Sequence, residues 1–311
     1  MAMAPSRGGA ADTAAVPSRL VQTLEHQGAV NVVKYNHGAK YLLSGSSDRT
    51  IKLWNPGSGK GIKEYRGHAH EVLALDIAHD NAKFASCGGD KAVFVWDVAS
   101  GAVLRRLQGH FGKLHAVAFS NDAGLLASGG FDAKIMLWDM RAALRDPLQV
   151  IRGAESSITT LDIPPDSVEI IAGSNDGHVR AYDVRMGRVT EDLVGAPVSG
   201  LTPSPATPRE TMLVASLDGK LRLFDRANGS VLQTFAGHKA ATTRSKPAFA
   251  RGEGAVLAGD DDGRLWTWAV LDGAGSSRAA HSRAVTSVLA NPGGSEVVTA
   301  SLDGTIKVWA K

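Results

Sequence analysis

Short runs in which apolar and polar residues alternate are spread along the chain, separated by clusters of Gly, Asn, Asp and Ser. The first of them read NVVKYN, YLLSGS and TIKLWN, and a fourth, GIKEYR, follows a Gly-rich turn. Runs of about four to eight residues with a period of two and many β-branched or aromatic side chains are typical of strands, whereas a helix shows a period near 3.6. The pattern predicts short strands joined by tight turns.

The four-strand pattern recurs, and each copy carries an aspartate six positions before an aromatic residue. Successive aspartates are 42, 42, 44, 42, 44 and 41 residues apart. The seven pairs are Asp48 and Trp54, Asp90 and Trp96, Asp132 and Trp138, Asp176 and Tyr182, Asp218 and Phe224, Asp262 and Trp268, and Asp303 and Trp309. A period of about 40–45 residues indicates a repeat architecture. Because one four-stranded sheet cannot bury both of its faces alone, neighbouring copies must stack.

A histidine near the start of most copies completes the pattern. It stands 28 residues before the aromatic residue in four copies and 30 before it at His238, and glycine precedes it at Gly67, Gly109 and Gly237. A Gly-His start and a Trp-Asp end in copies of this length resemble the WD40-repeat family, and the resemblance covers residues 19–311. It implies an all-β fold, namely a seven-bladed WD40 β-propeller.

The seventh copy supplies only three strands, because Trp309 is followed by two residues. The segment RLVQTLE at residues 19–25 precedes the first copy and matches a fourth strand. We therefore expect the N-terminal strand to complete the last blade and close the ring, which leaves no open edge between the termini. Residues 1–18 are Ala-rich, and we expect a disordered N-terminal tail there rather than an organelle transit peptide.

The resemblance also implies a structural role for the recurrent polar residues. In WD40 proteins the His, a Ser or Thr four residues before the turn Asp, that Asp and the Trp indole typically form a hydrogen-bonded tetrad. The complete sets here are His26, Ser44, Asp48 and Trp54; His68, Ser86, Asp90 and Trp96; His110, Ser128, Asp132 and Trp138; and His281, Thr299, Asp303 and Trp309. Blades 4, 5 and 6 have Ala172, Val214 and Ala258 at the hydroxyl position. We expect those three blades to be less rigid.

Composition narrows the function classes. A hydrophobic content of 43% with 21% charged residues supports a large core. The net charge is only +3, and the lysine and arginine residues are scattered along the chain without a basic block, so direct nucleic-acid binding is not expected. The single Cys87 forms no intrachain disulfide, which fits the cytoplasm and nucleus. No apolar run approaches the roughly 18–20 residues of a membrane-spanning helix.

Two local motifs suggest a phosphate site and a calcium site, but both are better explained as turns between strands. The stretch NPGSGKG lacks the spacing of a phosphate-binding loop, and the acidic residues of GDDDGR are consecutive, whereas calcium ligands alternate with spacers. A Ser-His-Asp triad could be assembled from any tetrad, but its repetition argues against a single active site. We therefore expect no catalytic residues, no metal and no cofactor.

Four apolar residues are candidates for binding a partner. In a WD40 propeller the residue before the turn aspartate lies near one rim, and it is apolar at Phe131, Leu217 and Leu302, while Phe111 follows His110 toward the same face. Two interpretations remain open. These side chains either pack against neighbouring turns or form an apolar surface for a partner.

Several stretches are similar to one branch of the family, the mitogen-activated protein kinase organizers. They are GGDKAVFVWDVASG, DGHVRAYDVRMG and SLDGKLRLFD. The resemblance implies a non-catalytic scaffold, monomeric within a larger complex, whose partners are splicing factors of the spliceosome or components of a kinase cascade. A substrate receptor of a cullin-type ubiquitin ligase is the alternative, because WDMR and YDVR place Arg141 and Arg185 after consecutive third strands, where such receptors carry an arginine.

Two stretches depart from the repeat. PVSGLTPSPATPRE has four prolines where blade 5 needs its first strand, and KAATTRSKPAFARGEG in blade 6 is polar and two residues longer than its counterparts. Proline cannot donate a hydrogen bond within a sheet. The regularity of these two blades is therefore open.

Overall fold

The computed structural model describes residues 18–142, 145–165, 169–294 and 296–310. Within these ranges the chain forms 28 strands and no helix, arranged as seven four-stranded antiparallel sheets. The predicted tail, apart from Ser18, lies outside the described residues. In chain order the strands are β1 (Arg19–Glu25), β2 (Val30–Tyr35), β3 (Leu42–Ser46), β4 (Thr50–Asn55), β5 (Lys60–Arg66), β6 (Val72–Ile77), β7 (Lys83–Gly88), β8 (Ala92–Asp97), β9 (Val103–Gln108), β10 (Leu114–Phe119), β11 (Leu125–Gly130), β12 (Ile135–Asp139), β13 (Gln149–Ile151), β14 (Ile158–Asp162), β15 (Glu169–Ser174), β16 (His178–Asp183), β17 (Arg188–Leu193), β18 (Val198–Pro203), β19 (Thr211–Ser216), β20 (Lys220–Asp225), β21 (Val231–Phe235), β22 (Ala248–Phe249), β23 (Ala255–Gly259), β24 (Arg264–Ala269), β25 (Gly275–Ala279), β26 (Val285–Ala290), β27 (Val297–Ser301) and β28 (Thr305–Ala310).

The sheets are the blades of a seven-bladed propeller, as the sequence predicts. Blades 1 to 6 are the consecutive sets β2–β5, β6–β9, β10–β13, β14–β17, β18–β21 and β22–β25. First strands of neighbouring blades, such as β2 and β6 or β10 and β14, contact one another around a central channel. Loops between blades, and loops from the second to the third strand, lie at one end of the ring, which we call the upper face. The other loops lie at the lower face.

The hydrophobic core lies between the blades. Among the described residues the buried apolar side chains form seven clusters, and each cluster combines residues of two adjacent blades. One of them packs Ile51 and Tyr65 of blade 1 against Val72, Phe84 and Trp96 of blade 2. A blade therefore buries its faces only when both neighbours are present, which is why the copies stack.

The predicted closure of the ring is confirmed. The seventh sheet has the order β1, β28, β27, β26, so the N-terminal strand is its outer strand. The pairing runs from Arg19 opposite Ala310 to Glu25 opposite Thr305, and Leu24 is buried in the core between blades 7 and 1. Without β1, the outer edge of β28 would have no partner for its backbone groups.

A β-bulge recurs near the start of the first strand in every blade except blade 6. The register shifts at Val30/Val32, Val72/Ala74, Leu114/Ala116, Ile158/Thr160, Val198/Gly200 and Val285/Ser287. A bulge leaves one residue unpaired and re-aims its side chain. The extra residues include Asn31, His115, Ser199 and Thr286, and these line the upper end of the channel.

The prolines leave the first strand of blade 5 intact, whereas blade 6 is irregular. Pro197 precedes β18 and Pro203 ends it, so no proline falls where an interior hydrogen bond is needed. The loop that follows is fixed by the Glu253 carboxylate, which accepts hydrogen bonds from Ser204 Oγ at 2.7 and 2.9 Å. In blade 6 the first strand shrinks to Ala248–Phe249. Its longer approach, residues 239–247, runs along the channel wall, where Lys246 bridges to Ser287 of blade 7.

Candidate partner-binding surfaces

The first tetrad joins four side chains of blade 1 through buried hydrogen bonds. The indole N–H of Trp54 donates to Ser44 Oγ at 2.8 Å, and the Ser44 hydroxyl lies 2.7 Å from His26 Nε2. His26 Nδ1 lies 2.9 Å from an oxygen of Asp48. An imidazole with its single proton on Nδ1 fits both contacts, because it donates to the carboxylate and accepts the Ser44 proton at Nε2. The imidazole is therefore neutral, in agreement with burial, which lowers the pKa of His26.

The other three predicted tetrads have the same connections. His68 Nδ1 lies 2.5 Å from Asp90, and both the His68 and Trp96 ring nitrogens reach Ser86 Oγ, at 2.7 and 2.8 Å. In blade 3 the corresponding distances among His110, Asp132, Ser128 and Trp138 are each 2.9 Å. In blade 7 they are 3.1, 2.8 and 2.9 Å among His281, Asp303, Thr299 and Trp309.

These tetrads are built for holding the loops rather than for catalysis. Ser44, Ser86 and Ser128 are fully buried, and each hydroxyl already accepts one hydrogen bond from an indole. A nucleophile needs an exposed oxygen and a base that is free to take its proton. The aspartates also accept backbone N–H groups of the loops, as Asp90 does from Ala69 at 2.9 Å. The arrangement thus fixes the loops of the upper face.

Blades 4 and 5 replace the tetrad with an arginine that the sequence analysis missed, buried in blade 4 and partly buried in blade 5. Arg180 Nη1 donates to Ser174 Oγ at 2.9 Å and to the turn Asp176 at 2.8 Å. Arg222 repeats these bonds to Ser216 and Asp218, each at 2.6 Å. Asp176 is partly buried, yet hydrogen bonds from Ser174, Glu155 N–H and Arg180 lower its pKa to about 2. The signal in the sequence is an arginine two residues before the aromatic residue, together with a serine two residues before the aspartate.

Blade 6 departs furthest from the repeat. Asp262, the aspartate that the repeat spacing selects, lies at the surface and pairs with Lys239 at 2.6 Å. The buried aspartate of this turn is Asp260. Asp260 accepts hydrogen bonds from the Trp266 indole at 2.8 Å and from the Arg264 N–H at 2.7 Å. His238 is buried, and its Nδ1 has no hydrogen-bond partner within the described residues.

The expectation of reduced rigidity in blades 4 to 6 stays a prediction, but blades 4 and 5 have contacts that the sequence analysis did not foresee. Blades 4 and 5 contain charge-assisted networks of their own, which are stronger than neutral hydrogen bonds. Blade 6, with its two-residue first strand and a His238 Nδ1 that has no hydrogen-bond partner within the described residues, is where we now expect the least rigidity.

Two of the four apolar candidates come together on the upper face at blade 3. Phe111 is 78% exposed and Phe131 is 71% exposed, and they border a common cleft beside Ser156 and Asn175 of blade 4. A Cβ on Gly112 would lie 2.8 Å from the Phe131 Cβ, so the Phe131 ring lies across this glycine. We call Phe111 and Phe131 the blade-3 aromatic pair.

Leu217 and Leu302 lie elsewhere. Leu217 is half-buried in the turn of blade 5, where its N–H donates to Pro197 O at 2.9 Å. Leu302 is half-buried and lines the upper end of the channel. The interpretation as turn packing therefore fits Leu217, while the aromatic pair remains open to solvent.

Arg141 and Arg185 lie on the lower face, opposite the aromatic pair. Both are exposed and line one cleft of about 1000 Å³ between blades 3 and 4. Arg141 pairs with Asp122 at 2.6 Å, and its N–H donates to Asp139, just as the N–H of Arg185 donates to Asp183. The candidate residues thus form two surfaces on opposite faces of the ring.

The described residues contain no group of three or more potential metal-ligating side chains and no helix that could span a membrane. Cys87 is fully buried, which raises the pKa of its thiol. Burial of this kind makes a thiol unreactive.

Comparison with known proteins gives matches along the whole ring. A family profile described as "Nucleolar protein 10-like, N-terminal domain" matches residues 69–270, and one described as "WD domain, G-beta repeat" matches residues 18–55 and 276–310. An uncharacterized WD repeat-containing protein of Schizosaccharomyces pombe is 50% identical over 239 residues, which are 77% of this chain and 79% of that protein. WD repeat domain-containing protein 83 of Rattus norvegicus is 44% identical over 296 residues, and that of Homo sapiens 40% over 295; each alignment covers 94% of this chain and 92% of the relative.

Proposed function

The chain belongs to the WD40-repeat family, and on this basis we propose that it is a non-catalytic scaffold that assembles protein complexes. Propellers of this family are generally protein-interaction domains without catalytic activity. The recurrent Ser, His and Asp side chains support the proposal, because the Ser and His residues are buried and all three are bonded to one another.

The observation that carries the proposal is the exposure of the blade-3 aromatic pair. Two phenylalanine side chains that are 78% and 71% exposed border one cleft on the upper face, whose loops the tetrads hold. Covering one such side chain contributes about 1.5–3 kcal/mol. Aromatic residues on a pre-formed surface are also typical of the positions that dominate protein–protein binding. The pair is therefore the proposed docking surface.

The proposed complexes are those of pre-mRNA splicing, of a mitogen-activated protein kinase cascade, or of both, in the nucleus and cytoplasm. The support is the resemblance of stretches such as YDVRMG to the kinase organizers, in which Arg185 and Met186 are not required by the repeat itself. Both side chains are exposed, as a recognition role needs. The chain acts as a monomer within the larger assembly.

The test is affinity purification with the double variant Phe111→Glu/Phe131→Glu. We expect recovery of partner proteins to fall at least tenfold, because two charges replace the apolar contact, while the melting temperature stays unchanged since neither ring is buried. Leu271→Glu is the matched control, because Leu271 is 87% exposed on the lower face of blade 6. Equal recovery from wild type and the double variant would remove the aromatic pair as the docking surface.

The identity of the recovered molecules tests the finer proposal. Mass spectrometry and RNA sequencing of the same samples distinguish splicing factors with small nuclear RNAs from protein kinases. Recovery of neither set, from a folded wild-type protein, would reject both roles.

A substrate receptor of a ubiquitin ligase is the second candidate, and one observation favours it. Arg141 and Arg185, which follow consecutive third strands, line the same lower-face cleft. If this face binds a ligase adaptor, the variant Arg141→Ala/Arg185→Ala loses the adaptor and retains the ligands of the aromatic pair. If the ligase adaptor is absent from the wild-type sample, the role as a ubiquitin-ligase receptor is excluded.

A further inference from the structure

The upper end of the central channel is a cavity of about 400 Å³. Its wall is formed by the bulged starts of the first strands, which turn Asn31, His115, Ser199 and Thr286 toward the axis, and by the extended loop that leads into blade 6. Bulges that re-aim side chains are typical of functional sites. The volume lies within the range of small-ligand pockets, about 300–1000 Å³.

Arg244 is the one cation of this cavity without a counter-ion among the described residues. It is half-buried, and burial alone lowers the pKa of its guanidinium. Deeper in the channel the charges are paired, Lys34 with Asp76 at 2.7 Å and Lys246 with Asp162 at 3.7 Å. A desolvated charge without a partner destabilises a fold. The blade 6 loop holds Arg244 in this position nevertheless.

The neighbouring groups are neutral hydrogen-bonding groups. Burial, with the charges of Arg244 and Lys113, lowers the pKa of His115 to about 4, so this imidazole carries no charge near pH 7. Lys113 is itself paired with Glu71 at 2.6 Å. The Ser287 hydroxyl lines the cavity, is buried, and has no hydrogen-bond partner within the described residues. The cavity therefore offers one net positive charge surrounded by neutral donors.

We propose that this cavity binds the carboxylate of an acidic side chain, presented by an extended segment of a partner protein that enters the channel from the upper face. A planar guanidinium matches a carboxylate through two parallel hydrogen bonds. A single negative charge balances Arg244, whereas a phosphate would carry a second charge, and the cavity has no second unpaired cation among the described residues. The proposal deepens the scaffold function and rests on it, since it names the chemistry of a second contact.

The first test measures stability without any ligand. We expect Arg244→Met to raise the melting temperature, because the substitution removes an unpaired charge and keeps most of the aliphatic chain. Arg152→Met is the matched control, because Arg152 is an exposed arginine on the same face, and its substitution should leave the melting temperature unchanged. A lower melting temperature for Arg244→Met would show that the charge is already satisfied, and it would overturn the proposal.

The second test measures binding of the peptide acetyl-Gly-Ser-Glu-Ser-Gly-amide and of its glutamine and phosphoserine counterparts by NMR titration of the full chain. We expect the glutamate peptide to bind at least tenfold more tightly than the glutamine peptide, and Arg244→Met but not Arg152→Met to abolish the difference. Equal binding of glutamate and glutamine peptides overturns the proposal, and so does tenfold preference for phosphoserine, which would indicate a phosphate site. If those results appear while the aromatic pair variant still loses its partners, the scaffold function stands and only the channel site fails.

Discussion

Ser86 shows how much of a blade depends on one hydroxyl group. It accepts the hydrogen bond of the Trp96 indole and binds His68 Nε2, and all three residues are buried. We expect Ser86→Ala to lower the free energy of unfolding by about 1–3 kcal/mol, since it leaves buried polar atoms without a partner. Urea denaturation measures the change. Ser58→Ala, at an exposed serine, is the control and should stay within about 0.5 kcal/mol of wild type.

The tetrad imidazoles should make stability depend on pH. Burial lowers the pKa of His26, His68 and His281 in the folded chain. The unfolded chain therefore binds more protons below about pH 6.5, and stability falls as the pH drops through that range and is full above it. Hydrogen bonds outweigh partial burial and lower the pKa of Asp48, Asp132 and Asp303, that of Asp303 to about 2, so these carboxylates act only at lower pH. Urea midpoints should be flat from pH 7 to 8 and fall by pH 5, and a midpoint that rises on acidification would contradict this assignment.

Single residues also mark where prediction from sequence stops. The spacing from aspartate to aromatic residue selects Asp262 in blade 6, but the buried carboxylate belongs to Asp260, because the blade 6 turn is built differently. Arg180 and Arg222 were missed because a search for histidine and a hydroxyl group does not find a guanidinium that makes the same contacts.

At the scale of the element, blade 6 should open first. Its first strand has two residues, and the buried His238 nitrogen lacks a partner among the described residues. Amide hydrogen exchange reports local opening of this kind. We expect the fastest exchange among third-strand amides in β24 of blade 6, and protection of β16 and β20 similar to that of β4 and β8. Exchange as fast in β16 and β20 as in β24 would show that the arginine networks do not replace the tetrads.

The strands themselves were the most predictable elements, because alternation and turn residues recur seven times. RLVQTLE gives the bounds of β1 to the residue. The bulges were not predictable, since they depend on how a first strand packs against its neighbours around the axis. The channel lining follows from the bulges, so the Arg244 cavity could not be derived from spacing.

At the scale of the whole molecule, ring closure is a single cooperative feature. Deleting residues 1–25 removes β1 and exposes the edge of β28, whereas deleting residues 1–16 keeps all of β1. We expect the melting temperature of the longer deletion to fall by more than about 5 °C relative to the shorter one, because the loss of a paired strand costs several kcal/mol. Equal melting temperatures would mean that β1 contributes nothing to the ring.

The central claim is that the repeated polar residues support the ring while the exposed residues of the upper face do the binding. The most direct measurement is the amount of partner recovered per folded molecule for two variants, Ser86→Ala and Phe111→Glu/Phe131→Glu, at a temperature where both are folded. The account predicts wild-type recovery for the first variant, despite its lower stability, and at least tenfold loss for the second, despite its unchanged stability. Loss of binding in Ser86→Ala with full binding in the double variant would contradict it.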